Sequence, residues 1–244
     1  MKRVIVGLLC ATLAACAAQT PPAESPTSTL QPTIPRGPTP PRLESRVATR
    51  NFLQVVNAVE PVAEAECRAR TPRSNCDFKI VVDERPNVPA NAYQTIDSTG
   101  RPILAFTVPL IADARNQDEL AFVMAHEAAH HIRGHLDRQQ TNATIGAVLA
   151  GGLAGALGRS DAAAIEAAQQ YGAALGARTY SKDFELEADE LGTIIAARAG
   201  FNPLRGAEFF FRIPDPGSRF LGSHPPNSQR VAVVTRTAAR LGFQ

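Results

Sequence analysis

His126-Glu127-Ala128-Ala129-His130-His131-Ile132-Arg133-Gly134-His135 is the stretch on which the reading of this chain turns. Its core is H-E-x-x-H, two histidines four residues apart with a glutamate beside the first. A helix advances about 100° per residue, so positions i and i+4 sit one turn apart on one face. Two imidazoles placed this way both reach a Zn²⁺ at roughly 2.0–2.1 Å. Glu127 leans to the same side, where it can take a proton from a metal-activated water. Upstream, Asn116-Gln117-Asp118-Glu119 offers a helix cap and an acidic first turn. Leu120, Val123, Met124 and Ile132 follow near helical period, which predicts a half-buried helix. Four of the five histidines fall in these ten residues, which favours a zinc site over a core helix whose histidines only hydrogen-bond.

Composition narrows the classes around that motif. A chain of 244 residues with a 44% hydrophobic fraction can bury a sizeable core, in one large domain or two small ones. Tryptophan is absent and aromatics make up only 6%, which argues against an aromatic ligand platform. With 25 basic against 23 acidic residues there is no electrostatic case for nucleic acid.

The N-terminus reads as targeting rather than fold. Lys2 and Arg3 precede a short apolar run from Val4 to Leu13, too short to span a bilayer. Leu13-Ala14-Ala15-Cys16 looks like a bacterial lipobox, making residues 1–15 a signal peptide and Cys16 the acylated residue. Ala17 and Ala18 carry no inner-membrane retention signal, so an outer-membrane anchor facing the periplasm is expected. An ordinary secretory signal is the alternative. Residues 16–44 are rich in Pro, Thr and Ser and read as a solvated tether, leaving 45–244 as the folded domain. In an oxidising compartment Cys67 and Cys76 can pair, two free buried thiols being the other reading.

Within the domain, Ser45 to Arg68 has helical spacing through Phe52, Val55, Val56, Val59 and Val62, with Pro61 a candidate kink. Three strands are expected at 78–83, 91–96 and 103–108, the last two joined by the turn Asp97-Ser98-Thr99-Gly100. A small sheet thus precedes the metal helix, and Asn91, Ala92, Tyr93 and Gln94 form a candidate edge for an extended substrate, or a purely structural strand. Thr141 to Gly158 carries no charge and five glycines. We read it as a mobile helical hairpin or flap, although Gly151-x-x-x-Gly155 resembles a membrane-packing motif and dipping into a membrane is the rival reading. An Ala-rich helix over 161–178 follows.

A catalytic zinc needs a third protein ligand. His131 points about 100° away from its neighbour, and His135 lies past the site's turn, so both are expected to be structural or to support the ligands from behind. Tyr180-Ser181-Lys182-Asp183-Phe184-Glu185-Leu186-Glu187-Ala188-Asp189 is the better source. Glu185 and Asp189 lie one turn apart, so one can bind metal while the other braces a ligand. Glu187 is about 200° from Glu185 and is expected to face elsewhere. An exposed acidic face is the reading this segment would receive alone.

Taken together, H-E-x-x-H, Ser181-x-x-x-Glu185-x-x-x-Asp189, Asn91-Ala92-Tyr93 and Ser223-His224-Pro225 followed by Arg230 resemble the HtpX and CAAX-prenyl-protease family of gluzincin metallopeptidases, in its soluble periplasmic lipoprotein branch. The resemblance spans roughly residues 50–240. It implies an α+β, mainly helical domain binding one zinc through His126, His130 and Glu185. It further implies Glu127 as general base, Asp189 orienting a histidine ligand, and His224 approaching from a late loop. There His224 would stabilise the oxyanion or gate the metal; alone it reads as a surface His-Pro turn. The long apolar spans of membrane-embedded relatives are missing after the signal, so prenylated-peptide processing is not carried over. The segment before Ile103 also lacks paired glycines expected from the family.

In the tail, Pro203 to Ile213 with Phe209-Phe210-Phe211 should pack into the core. Asn227 or Ser228 should cap a last helix ending near Arg240. The expected function is a zinc endopeptidase acting on exposed or misfolded proteins of the cell envelope. The rivals are a zinc-stabilised chaperone or assembly lipoprotein with little turnover, and a binding lipoprotein with structural histidines. Protein or peptide substrates and the membrane are the expected partners; nothing in the sequence marks an oligomeric state.

Overall fold

A 26-residue helix, α1 (Ser45–Arg70), lays one apolar stripe along the rest of the domain: Ala48, Phe52, Val55, Val59, Ala63 and Cys67 are buried at helical spacing. It runs as a single helix through Pro61. The computed structural model describes residues 43–159, 161–179, 181–213 and 225–244. The signal peptide, Cys16, most of the tether, and His224 lie outside the described residues.

Cys67 in the last turn of α1 is disulfide-bonded to Cys76, just ahead of the sheet, with Cα atoms 5.7 Å apart. The sheet has three strands, β1 (Lys79–Asp83), β2 (Ala92–Ile96) and β3 (Pro102–Thr107), in the order β1-β3-β2. β3 is central, parallel to β1 and antiparallel to β2, with Val81 and Tyr93 both opposite Ala105. Its Leu104, Ala105 and Phe106 are buried almost completely. Each strand begins or ends within a residue of its expected bounds. Asp97 closes the β2–β3 turn by accepting hydrogen bonds from the backbone of Thr99 and Arg101.

β3 leads through α2 (Val108–Asp113) into α3 (Gln117–Ile132), which carries the H-E-x-x-H motif. Asn116 caps α3 as expected, its Oδ1 accepting from the Glu119 N–H at 3.0 Å. The half-buried expectation is corrected: Ala121, Ala125, Ala128 and Ala129 are all buried, on top of the predicted stripe. These small side chains let α1 and α6 (Ser181–Arg198) close on α3 from different sides. Even Glu119 is inside, receiving both nitrogens of the Arg212 guanidinium fork. At the α3–α6 crossing, a Cβ added to Gly192 would lie 3.0 Å from the backbone of His126. A glycine there brings α6 close enough to reach the motif.

Between α3 and α6 lies a hairpin of α4 (His135–Ala156) and α5 (Ala162–Arg178), which corrects the expectation for 141–158: that stretch is part of one continuous helix, and its partner is the Ala-rich helix expected after it. Gly146 faces Gly172 and Asn142 faces Gly176, an antiparallel register in which a Cβ on either Gly146 or Gly172 would collide with the other's carbonyl oxygen. Gly151-x-x-x-Gly155 is not the packing seam: a Cβ on Gly151 would meet the Gln169 side chain, and one on Gly155 would meet none of the described residues within 4 Å. Ile145, Val148, Leu149, Leu153 and Leu157 are exposed along α4. No described helix is long and apolar enough to cross a membrane.

The chain ends with α7 (Pro203–Gly206), a 3₁₀ turn (Ala207–Phe211) and α8 (Asn227–Arg240). Phe210 joins Phe122, Ala207, Val231 and Val234 in a second apolar cluster against α3. The expected cap at Asn227 is corrected: Pro226 occupies the cap position of α8 without a side-chain bond. Asn227 is buried and donates instead to the Phe210 carbonyl at 2.8 Å, tying the 3₁₀ turn to α8.

Candidate metal centre

His126 and His130 point from successive turns of α3 into a cavity of about 490 Å³. Their Nε2 atoms are 3.0 Å apart. Glu185 comes across from the first turns of α6, its Oε1 3.4 Å from His130 Nε2 and Oε2 3.5 Å from His126 Nε2. For four ligands about 2.05 Å from a tetrahedral ion, neighbouring donors must lie about 3.3 Å apart. Each imidazole nitrogen comes near that distance from its own oxygen of Glu185 and from the other imidazole, so these residues can converge on a metal, and the pair of imidazoles with a carboxylate suits a zinc-type divalent cation. Glu127, half-buried, lines the same cavity.

Asp189, one turn beyond Glu185, is fully buried and lies 2.9 Å from His126 Nδ1. Arg230 of α8 grips its other side, Nε donating to Oδ2 at 2.8 Å and a terminal nitrogen to Oδ1 at 2.7 Å. The same guanidinium is 3.4 Å from Glu185 Oε2 and stacks 4.1 Å from the Phe210 ring centre. Burial works against the charge on Asp189, but Arg230 and His126 outweigh it and hold the carboxyl below its usual range. Burial likewise opposes charge on His126, yet hydrogen bonds to Asp189 and Glu185 win and raise the imidazole to about 10. The surroundings therefore favour positive charge at this ring, whether carried by a proton or by a metal.

Neither of the remaining motif histidines joins the metal group, as the sequence suggests. His131 places Nε2 2.8 Å from the Asn75 carbonyl and packs edge-on against Phe78. His135 places Nδ1 2.8 Å from His130 Nδ1 and Nε2 3.2 Å from Glu187 Oε2. Burial and the neighbouring His130 hold His135 down to about 4, a neutral imidazole. Glu187 points away from Glu185, as expected, but not idly: it also accepts from Arg138 at 2.7 Å. Sequence reasoning missed this contact and the grip of Arg230 on Asp189. Angular separation says where a carboxylate does not point, and only the packing of other helices says what meets it there.

The edge-strand expectation gains a geometry. Ala90, Asn91, Ala92, Tyr93 and Gln94 all line the cavity, consecutive residues rather than alternate ones, as when a strand is seen edge-on. β3 occupies the other side of β2, where the Asn91 carbonyl accepts from the Thr107 N–H and the Asn91 N–H donates to Thr107 Oγ1. By the two-residue period, the backbone groups of Ala92 and Gln94 are those directed to the free edge.

Comparison with known proteins agrees with this geometry. The family model described as peptidase family M48 matches residues 50–238. A Vibrio cholerae protein carrying the name beta-barrel assembly-enhancing protease is 38% identical over 125 residues, covering 48% of this chain and 25% of that relative. The chain thus spans about a quarter of the length of the relative it matches.

Proposed function

Because the chain belongs to peptidase family M48 and is a metallopeptidase, we propose that it is a zinc endopeptidase hydrolysing exposed segments of cell-envelope proteins. The observation that carries the chemistry is the convergence of His126, His130 and Glu185, with ligand atoms within 4.8 Å of one another, beside Glu127. An extended substrate adds to the free edge of β2 through the backbone of Ala92 and Gln94, which lays its chain across the cavity. When bound, zinc polarises the scissile carbonyl and acidifies a water. Glu127 accepts the proton of the attacking water and delivers it to the leaving amine as the C–N bond breaks. Asp189 and Arg230 touch no reacting atom; they hold His126 with Nε2 forward.

The envelope assignment is supported by the lipobox-like Leu13-Ala14-Ala15-Cys16, the Pro-rich tether and the name of the Vibrio relative. Acylated Cys16 anchors the domain to the outer membrane on the periplasmic side. The test of location is Cys16→Ser, which should lose acyl labelling and release the protein from membranes; labelling that persists discards the anchor. On the family resemblance, His224 contacts the oxyanion or gates the metal. His224→Ala lowers kcat in the first case and raises proteolysis in the second, and unchanged kinetics remove it from the site.

Activity is tested with Glu127→Gln. It should keep about one zinc per chain and an unchanged melting curve while casein cleavage disappears, since an amide cannot accept the proton. Cleavage at the wild-type rate would refute the assignment. Envelope function that survives in Glu127→Gln would favour the second reading, a zinc-stabilised assembly factor, which the assembly term in the relative's name suggests.

A further inference from the structure

We propose that His135 and Glu187 form a positioning relay that fixes the orientation and tautomer of His130. The inference rests on the metal-site reading above, and proceeds by following a single hydrogen outward from that site. His130 directs Nε2 at the point where His126 Nε2 and Glu185 Oε1 also converge, 3.0 Å and 3.4 Å away. A neutral imidazole that ligates through Nε2 carries its hydrogen on Nδ1. That Nδ1 lies 2.8 Å from Nδ1 of His135. Two ring nitrogens at this distance share one hydrogen, so if His130 donates, His135 must accept through a bare Nδ1. The hydrogen of His135 is then on Nε2, which lies 3.2 Å from Glu187 Oε2. A carboxylate only accepts, so each assignment forces the next.

The far end is fixed as firmly as the near one. Arg138 donates to both oxygens of Glu187, at 2.7 Å and 3.2 Å. The His135 ring is buried and stacks on Phe184, with centroids 4.7 Å apart and planes 9° from parallel, and the Arg138 guanidinium lies 4.2 Å from the same ring. Gly134 makes the arrangement possible. Its left-handed backbone, φ 65° and ψ 35°, separates α3 from α4 so that His135, five positions after His130, returns its ring to that residue.

The two histidine ligands are therefore braced differently. His126 meets a buried carboxylate directly, whereas His130 meets a half-exposed one through a second imidazole. Outer partners of this kind set ring orientation and ligand basicity, and their loss typically costs about 10- to 100-fold in metal affinity.

Two measurements on the full mature chain test the relay. In zinc-loaded protein with ring-¹⁵N histidine, His130 should carry its hydrogen on Nδ1 and His135 on Nε2. A His135 hydrogen on Nδ1, or on both nitrogens, would overturn the relay. Zinc affinity by chelator competition should fall about 10- to 100-fold in His135→Leu, and by less in Glu187→Gln, which keeps an acceptor and loses the charge. His135→Gln can accept from His130 and donate to Glu187 through one amide, and should recover most of the affinity. A purely structural role predicts lower melting temperatures with zinc affinity unchanged in the folded protein, and that pattern also refutes the relay. If His135→Leu does not fold, the tautomer and Glu187→Gln decide. Wild-type protein that binds no zinc would sink the metal site and the relay together; tight wild-type binding with unaffected variants would sink the relay alone.

Discussion

Asp189 and Arg230 form a buried ion pair next to the metal site, Asp189 completely covered and Arg230 at the cavity wall. Burying such a pair is costly, and the cost is met by good geometry: two donors of Arg230 meet two oxygens of Asp189, and His126 takes the remaining direction. Replacing Asp189 by Asn preserves shape but leaves the guanidinium charge to the Glu185 carboxylate at 3.4 Å and the Glu127 charge. Removing one partner of a buried pair costs about 3–5 kcal/mol. Urea unfolding of metal-free Asp189→Asn should show that loss, and an effect below about 1 kcal/mol would mean that the pair is solvated and its charge unimportant. By contrast Glu187, half-exposed and paired with Arg138, is expected to matter more to metal affinity than to global stability.

Elements differ in what holds them. α3 is stabilised by its neighbours on nearly all sides, with Leu120, Phe122 and Met124 buried alongside the alanines. Each large side chain of this kind contributes about 1.5–3 kcal/mol on burial. The α4–α5 hairpin has almost no such side chains inside; its buried described residues are His135 and Gly151 in α4 and Gly172 in α5. Its cohesion comes from backbone approach between glycines, so shape matters and hydrophobicity does not. Gly172→Ala should therefore open the hairpin locally, since the new methyl collides with the Gly146 carbonyl; overpacking of this kind costs about 1–3 kcal/mol. Hydrogen exchange should speed up in α4 and α5 while protection in α3 is kept. Leu149→Gln, on the exposed face, should change neither. The reverse order of effects would show that the outer face, not the glycine seam, holds the hairpin.

Across the whole domain, one apolar cluster joins α1, the sheet, α3 and α6, and the disulfide lies at its margin, between α1 and β1. Closing so short a loop is worth roughly 2.5–3 kcal/mol in the chain-entropy account. Cys67→Ser with Cys76→Ser should lower stability by about that amount without altering zinc stoichiometry, because neither sulfur approaches the metal residues. Denaturant unfolding and metal analysis on the double variant read the two effects separately. Loss of zinc in the double variant would show that the α1–β1 link also holds α3 in place.

Local information sufficed for much of the site. Helical period places His126 and His130 on one face, and again places Glu185 and Asp189 on one face, because both pairs are separations of four within one helix. Asn116 as a cap, the Asp97 turn, the Ala-rich α5 and the three short strands are likewise written in residues near one another in the chain. The structure alone decides what depends on distant segments meeting. Gly192 lets α6 approach α3, so that Glu185 rather than another carboxylate completes the metal triad. Arg230 reaches Asp189 across 41 positions, and Glu187 meets His135 across 52. Asn227 leaves its expected capping role because the Phe210 carbonyl, brought in by the 3₁₀ turn, accepts from its buried amide. The sequence by itself determines which atoms of one helix share a face; only the tertiary structure decides which charge, carbonyl or imidazole waits opposite, because that depends on which helices pack together and how closely their smallest residues let them come.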